Sequence, residues 1–345
     1  QEGNRSIFSR KLQELMADRL NKGQQTILFL NRRGYAGFVS CRSCGEVMKC
    51  PHCDVSLSEH KGGRLICHYC GYTQPMPKLC PKCGSKYILG FKAGTQQIEE
   101  KLKELYPGVR TLRMDADTTR TKDSYEKILS SFANGEADVL IGTQMIVKGH
   151  DFPKVTLVGI LAADLSLNAS DYRAGERTFQ LLTQAVGRAG RGGLPGEAVI
   201  QTYQPDHYAI TCAAAQDYEN FYQEEILYRE LSGYPPVAHM LAVQIYGKEE
   251  ENAKQLALRL TDVVKSNMDF LSGKQKEQSN KKIQVLGPAP ANISKINDIY
   301  RYVFYVKHAE YDVLVEVKDR LEETLRQWQP RQMSIQFDFD PVSVL

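Results

Sequence analysis

Along the first 232 residues the apolar positions switch repeatedly between helical and strand spacing. Residues 10–21 carry apolar side chains at helical intervals and stop at Gly23, and residues 26–30, Thr-Ile-Leu-Phe-Leu, form a short β-rich run. After an interruption the alternation resumes. Residues 95–105 place Ile98, Leu102 and Leu105 on one helical face. Residues 122–133 turn Tyr125, Ile128, Leu129 and Phe132 inward, with Gly135 behind them. Residues 110–114, 139–142, 155–161 and 198–203 read as strands, and 173–189 as a helix. Short apolar strands separated by helices predict an α/β domain with a parallel, doubly wound sheet, whose chemistry sits beyond the strand carboxyl ends.

Residues 206–231 read as one aromatic-rich helix packed on that domain, and Gly233-Tyr-Pro-Pro236 is a stiff break that marks the expected boundary. Beyond it the pattern gives strand 239–246, helix 249–268, strands 283–286 and 299–307, helix 310–327 and strand 333–339. That order, β-α-β-β-α-β, is ferredoxin-like. Alternation over 299–306 puts Tyr300, Tyr302 and Phe304 on one face and Arg301, Val303 and Tyr305 on the other. Sheet core is expected for at least one face; an exposed aromatic face for stacking bases is the alternative. Lys274, Lys276, Lys281 and Lys282 fall in a polar stretch that reads as a hairpin tip, either a solubilising loop or a phosphate clamp.

Cysteines account for the interruption. Eight of the nine lie in four Cys-x-x-Cys pairs: Cys41/Cys44, Cys50/Cys53, Cys67/Cys70 and Cys80/Cys83. Each turn points two sulfurs at one ion, and two turns complete a tetrahedral zinc site of four thiolates. Gly45, Gly71 and Gly84 follow three of the pairs and let backbone amides face the thiolates. Disulfides are the competing reading, set aside because the rest of the chain has a cytosolic character. Two pairings stay open. Sequential pairing joins neighbouring turns; nested pairing joins 50/53 with 67/70 and 41/44 with 80/83. The 13-residue inner loop 54–66, suited to a zinc-ribbon hairpin, favours nesting. An insertion this small takes much of its folding energy from metal. Cys212, alone in an Ala-rich helix, reads as a small apolar residue.

Charge changes the picture little. The formal net charge of +3 becomes −1 if eight thiolates hold two Zn2+, so any nucleic-acid contact must come from local patches. Residues 233–345 hold 15 Lys+Arg and 15 Asp+Glu and are not generally basic. With 345 residues, 42% hydrophobic and 25% charged, the chain is expected to form two or three globular domains. No apolar run approaches the ~20 residues of a membrane helix. The start, Gln-Glu-Gly-Asn-Arg, has no signal pattern and no Met, so a cytoplasmic piece of a longer protein is expected.

Two segments carry the chemistry. Gly142-Thr-Gln-Met-Ile-Val-Lys-Gly-His-Asp follows a strand and offers a hydroxyl, an amide, a cation, a glycine and a carboxylate. Gln184-Ala-Val-Gly-Arg-Ala-Gly-Arg191 ends a helix, with Arg188 and Arg191 three apart and expected to share a face. Paired arginines suit the charge of a transferring phosphoryl group. A solvated basic helix end is the plainer reading, but it leaves two glycines in one turn unexplained.

These two segments are similar to motifs V and VI of superfamily 2 helicases. Asn31-Arg-Arg-Gly-Tyr35, followed at once by the cysteine pairs, and the closing Phe339-Asp-Pro341 resemble the bacterial primosomal protein N′ family of replication-restart helicases, over residues 7–345. The resemblance implies a RecA-like helicase lobe 2 over 1–40 and 85–232, a zinc-binding insertion over 41–84 and a C-terminal DNA- or partner-binding domain over 233–345. It implies a 3′→5′ DNA helicase that recognises stalled forks and starts primosome assembly, a monomer associated with the nucleoid. Arg191 would be the arginine finger and Arg188 a second phosphate-facing residue. Gly149, Asp151 and Gln184 would face nucleotide. Asn31, Arg32, Arg33, Thr143 and Lys148 would lie toward DNA. The family's zinc pairing is nested: Cys41, Cys44, Cys80 and Cys83 on one ion, Cys50, Cys53, Cys67 and Cys70 on the other. Implied partners are branched or single-stranded DNA, single-stranded DNA-binding protein and other primosome proteins, and the complete protein would use ATP and Mg2+. The departure is a missing G-x-x-x-x-G-K-[ST] and a missing DEAH-like box. Without the first lobe the chain is expected not to hydrolyse ATP alone. The competing class is a non-motor zinc-ribbon scaffold, which needs neither arginine motif.

Overall fold

The computed structural model describes residues 6–30, 39–41, 43–51, 56–60, 63–67, 71–90, 94–115, 118–119, 122–143, 146, 151–169, 171–190, 193–266 and 282–342. In chain order the strands are β1 Gln25–Leu30, β2 Val39–Cys41, β3 Ser58–His60, β4 Arg64–Ile66, β5 Thr73–Pro75, β6 Ile88–Gly90, β7 Thr111–Met114, β8 Val139–Gly142, β9 Val155–Leu161, β10 Glu197–Ile200, β11 His239–Gly247, β12 Gln284–Ile296, β13 Ile299–His308 and β14 Met333–Phe339. The helices are α1 Arg10–Asn21, α2 Thr95–Leu105, α3 Lys122–Ala133, α4 Asp164–Leu167, α5 Ala174–Val186, α6 Tyr208–Ala215, α7 Tyr218–Ser232, α8 Glu250–Ser266 and α9 Tyr311–Trp328.

The first domain is an all-parallel sheet in the order β10-β9-β1-β8-β7. Its central strands are buried on both faces, which is why they read as unbroken apolar runs. Period-two alternation divides their side chains between two cores. Ile27, Phe29, Leu140, Val158 and Ile160 meet Phe132 and Phe179, from α3 and α5. Leu28, Leu30, Ile141, Leu157 and Leu161 meet Leu12 and Met16 of α1 and Ile98 and Leu102 of α2.

The cysteine block leaves this sheet after β1 and returns before α2. Antiparallel pairing of β2 with β6 zips its two ends together, and β3, β4 and β5 form a small sheet within it. The last domain is a four-stranded antiparallel sheet, β12-β13-β11-β14, in which β12 and β13 form a hairpin and β11 lies between β13 and β14, the ferredoxin-like order. Helices α8 and α9 cover one face, around Leu256, Leu260, Leu314 and Leu321.

Several boundaries differ from the sequence reading. The helix expected over 173–189 ends at Val186, and Gly187 caps it by donating to the Thr183 carbonyl. The strand expected over 198–203 stops at Ile200, because Tyr203 N–H turns to the Asp164 carboxylate. The helix expected over 206–231 is two helices. Gln216 in the left-handed region ends α6, and the Asp217 side chain accepts from Asn220 N–H to start α7. The aromatic strand β13 exposes neither broad face: Tyr302 and Phe304 lie under α8 and α9, while Val303 and Tyr305 pack against the cysteine block. A base-stacking platform there is thereby ruled out.

A ring stack joins the first and last domains. Tyr172 and Tyr234 lie parallel with centroids 4.7 Å apart. The Arg229 guanidinium sits 4.8 Å over Tyr172, and the Lys307 ammonium 4.0 Å over Tyr234. Arg229 is buried, donates to Glu225 at 2.7 Å and pairs with Glu176 at 3.0 Å. Removing a cation from such a buried group strands its carboxylates, at a cost of about 3–5 kcal/mol. Arg229→Met is therefore expected to lower unfolding free energy by about that much in urea titrations, whereas Lys22→Met, at an exposed pair with Asp18, should change it by less than about 1 kcal/mol.

Candidate metal centre and nucleotide-facing segment

Among the described residues, the turns at Cys41, Cys67 and Cys80 share one backbone form. The first cysteine's N–H donates to the carbonyl five residues on: Cys41 to Glu46, Cys67 to Tyr72 and Cys80 to Ser85, each at 2.8 Å. The glycine four residues on, Gly45, Gly71 or Gly84, donates back to that cysteine's carbonyl at 2.9 Å. These glycines have φ of +80°, +77° and +70°, a region that a side chain would strain. The remaining turn, at Cys50, is followed by Asp54 instead of glycine.

The sulfurs of Cys41, Cys44, Cys80 and Cys83 all lie within 4.8 Å of one another. Cys41 to Cys83 and Cys44 to Cys80 are each 3.6 Å. A tetrahedron with Zn–S near 2.3 Å places sulfurs about 3.8 Å apart, whereas a disulfide needs about 2.05 Å. The donor set fits zinc, and the geometry joins the outer two turns. Burial opposes a charge on Cys41, but the N–H groups of Cys44 and Ser43 and the Cys83 thiol outweigh it and bring the pKa down to about 6. Glu46 N–H favours the Cys44 thiolate, yet burial and the other three sulfurs push that thiol up to about 12. Four thiolates at this spacing require a cation among them. Of the inner set, Cys50 and Cys67 are both buried; Cys53 and Cys70 lie outside the described residues.

The two motif segments do not both sit at the carboxyl edge of the sheet. Thr143 does: it follows β8 and its N–H reaches the Met114 carbonyl, at the end of β7, at 3.4 Å. Asp115, which the sequence reading passed over, shares this edge. Its carboxylate accepts from Thr95 Oγ1 at 2.5 Å and pairs with Arg113 at 2.9 Å. A carboxylate and two threonines directly after a predicted strand, Asp115 with Thr118 and Thr119, were the available signal.

Asp151 and Arg188 lie instead at the amino end of β9. Val155, the first residue of that strand, donates to the Phe152 carbonyl and accepts from Gly190 N–H, both at 3.0 Å. The reason is topological. The chain crosses back from β8 before entering β9, and α5 runs opposite to the strands, so its carboxyl end returns to their amino edge. Arg188 lies beyond α5, in successive turns where its N–H reaches Ala185 O at 3.1 Å. Gly190 has φ +78° and faces Gly196, whose N lies 2.6 Å from where a Cβ would sit. That close approach explains the glycine. Gln184 is exposed on the last turn of α5. Asn31, Arg32, Arg33, Lys148, Gly149 and Arg191 lie outside the described residues.

The cysteine block and the flanking domains share one core: Cys41, Cys50, Cys67 and Cys80 with Tyr172, Tyr234, Met240 and Tyr305. A cavity of about 190 Å³ lies in the seam between the block, at Lys49 and Ser56, and the first domain, at Asn168, His207 and Tyr208. Burial, with the Lys49 charge second, brings His207 down to about 4, so its imidazole is neutral there.

Comparison with known proteins follows these parts. Residues 79–193 match the helicase conserved C-terminal domain, 50–75 the PriA DNA helicase Cys-rich region domain, and 230–342 the primosomal protein N C-terminal domain. The replication restart protein PriA of Bacillus subtilis is 44% identical over 99% of this chain, and that of Synechocystis 41% identical over 99%. That of Haemophilus influenzae is 36% identical over 94%. The chain spans 42%, 40% and 42% of those relatives' own lengths. Among the described residues no helix is long and apolar enough to cross a membrane.

Cys83→Ala should leave the chain with one zinc equivalent fewer by elemental analysis, while Cys212→Ala should retain the full complement. Zinc affinity should fall between pH 8 and pH 6 in competition with a chromogenic chelator, because the thiols must lose protons to bind.

Proposed function

This chain belongs to the PriA family of replication restart proteins, and we propose that it supplies the second motor lobe, zinc module and C-terminal domain of an ATP-dependent 3′→5′ DNA helicase. In this reading the complete protein recognises stalled or branched forks and starts primosome assembly in the cytoplasm, at the nucleoid. The observation that carries it is the meeting of the Asp151 turn and the Arg188–Gly190 turn on one residue, Val155. A scaffold has no use for a carboxylate loop and an arginine loop tied to the same strand end.

Arg191 and Arg188 would face the transferring phosphoryl group, with Gly149, Asp151 and Gln184 toward the nucleotide. Asn31, Arg32, Arg33, Thr143 and Lys148 would lie along the DNA strand. Cys50, Cys53, Cys67 and Cys70 would hold a second zinc. ATP and Mg2+ need a phosphate-cradling loop, and the 345 residues contain no G-x-x-x-x-G-K-[ST]. Single-stranded DNA-binding protein and other primosome proteins are the expected partners, of a monomer.

The isolated chain should hydrolyse no ATP. Fused behind the N-terminal portion of the Bacillus subtilis relative, it should support hydrolysis stimulated by single-stranded DNA. Arg191→Ala in that fusion should slow turnover by about 10³- to 10⁵-fold. DNA-stimulated turnover by the isolated chain, or a fusion indifferent to Arg191→Ala, would sink the reading.

A further inference from the structure

The four sulfurs of the outer zinc set differ in access. Cys83 is exposed and Cys44 half-buried, whereas Cys41 and Cys80 are buried, at 0% and 3% exposure. Cys50 and Cys67 of the inner set are buried as well. A dissolved reagent therefore meets Cys83 before these neighbours. A cation held among the sulfurs keeps them as thiolates, and the thiolate is the nucleophilic form of cysteine.

The chain around Cys83 is basic. Lys78, Lys82 and Lys86 are all exposed, and from His60 to Ile98 the sequence holds no Asp or Glu. Glu46, from the partner turn, stands 3.5 Å from the Lys82 ammonium. These lysines offset the excess negative charge of four thiolates around one Zn2+. A reagent that carries carboxylates finds partners here, and a cationic one is repelled. Behind Cys83 lies a second sulfur. Cys41 Sγ is 3.6 Å from Cys83 Sγ, too deep to be reached from outside but in contact for a second displacement.

We propose that Cys83 is a redox modification site, at which a small carboxylate-bearing disulfide oxidises the outer zinc set. The Cys83 thiolate attacks one sulfur of the incoming disulfide. A mixed disulfide forms, the original S–S bond breaks, and one small thiolate leaves with the bonding pair. The Cys41 thiolate then attacks Cys83 Sγ, closes a Cys41–Cys83 bond and expels the second small thiolate. Two electrons pass from the two cysteines to the disulfide, and no proton is required. Cys44 and Cys80 remain as two ligands, too few for a closed structural zinc site. Cys41 is also the last residue of β2 and pairs with Ile88 of β6, so the change falls on the strands that zip the module's ends together. In a reducing compartment the thiolates persist, and disulfides there are as a rule transient and redox-sensing.

The zinc-loaded chain, its metal content fixed beforehand by elemental analysis, would be mixed at low salt with glutathione disulfide and a chromogenic chelator. Zinc release would be followed by absorbance and the adducts mapped by mass spectrometry. One zinc equivalent should be released, Cys83 should carry the first glutathionyl adduct, and the final bond should join Cys41 to Cys83. Excess dithiol with fresh zinc should reverse the change. Cys83→His, which supplies the fourth ligand of a Cys3His site, should retain zinc and release it at least about 10-fold more slowly. K78Q/K82Q/K86Q should slow the reaction with glutathione disulfide about 3- to 10-fold and speed that with cystamine, a cationic disulfide, by a similar factor. A loosened fold would speed both. The proposal is overturned if the outer set holds no zinc, if another zinc-site cysteine is modified first, or if Cys83 closes on Cys44 or Cys80. It is also overturned if Cys83→His releases zinc as fast as the unaltered chain, or if the lysine variant does not shift the two disulfides in opposite directions. None of these readouts involves ATP, so the motor reading stands or falls separately.

Discussion

The shared core around the cysteines is what the rest of the arrangement is built against. A block of about forty residues buries too little apolar surface to fold alone, and metal coordination supplies the missing energy. Once the turns are set, their outer surfaces become packing faces. Gly45 shows the coupling. Its positive φ closes the turn around Cys41 and Cys44, and a Cβ there would fall inside contact distance of Tyr203 in the first domain. Gly71 does the same toward Pro288 and Ala289 of the last domain, where a Cβ would lie 3.4 Å from the Pro288 carbonyl. The residue that lets amides face a thiolate also lets a neighbouring domain approach the backbone.

Much of this was legible in the sequence because it depends on short-range patterns. The parallel sheet follows from apolar runs alternating with helices, and the terminal domain from the order of its elements. Cysteine spacing pointed to metal, and it favoured but did not decide the pairing; the structure brings together the sulfurs of the outer two turns, Cys41, Cys44, Cys80 and Cys83. What was not legible depends on contacts between distant segments. The alternation of β13 gave both faces apolar members, but nothing local says that Val303 and Tyr305 meet a zinc module while Tyr302 and Phe304 meet helices. The break at Gln216 is hidden because the aromatic composition on either side is helical.

The position of Arg188 shows the same limit at the motor segment. Two glycines among arginines look like a conformational cost that function must justify. In the structure Gly187 terminates α5 and Gly190 packs on Gly196, so the glycines have local structural duties of their own. What the structure adds is where the turn is tied: Gly190 N–H donates to the Val155 carbonyl at the start of β9. Rules about the carboxyl edge of parallel sheets apply to Thr143 and Asp115, which do sit there, and not to a segment carried back by the following helix.

That helix gives the two ends of the first domain a direct mechanical relation. α5 has 13 residues, about 20 Å of rod. Its carboxyl end leads into the Arg188 turn, and Glu176, in its first turn, holds the buried Arg229. Arg229 in turn lies over Tyr172 and donates to the Pro235 carbonyl at 2.7 Å, where the last domain begins. Each link is short, buried or stacked, and made of groups with few rotamers to spare. The Arg188 turn is thus connected to the Tyr172–Tyr234 stack through α5, Glu176 and Arg229. A soft linker at residues 233–236 would isolate the two domains; the ion cluster and the ring stack across it tie them together.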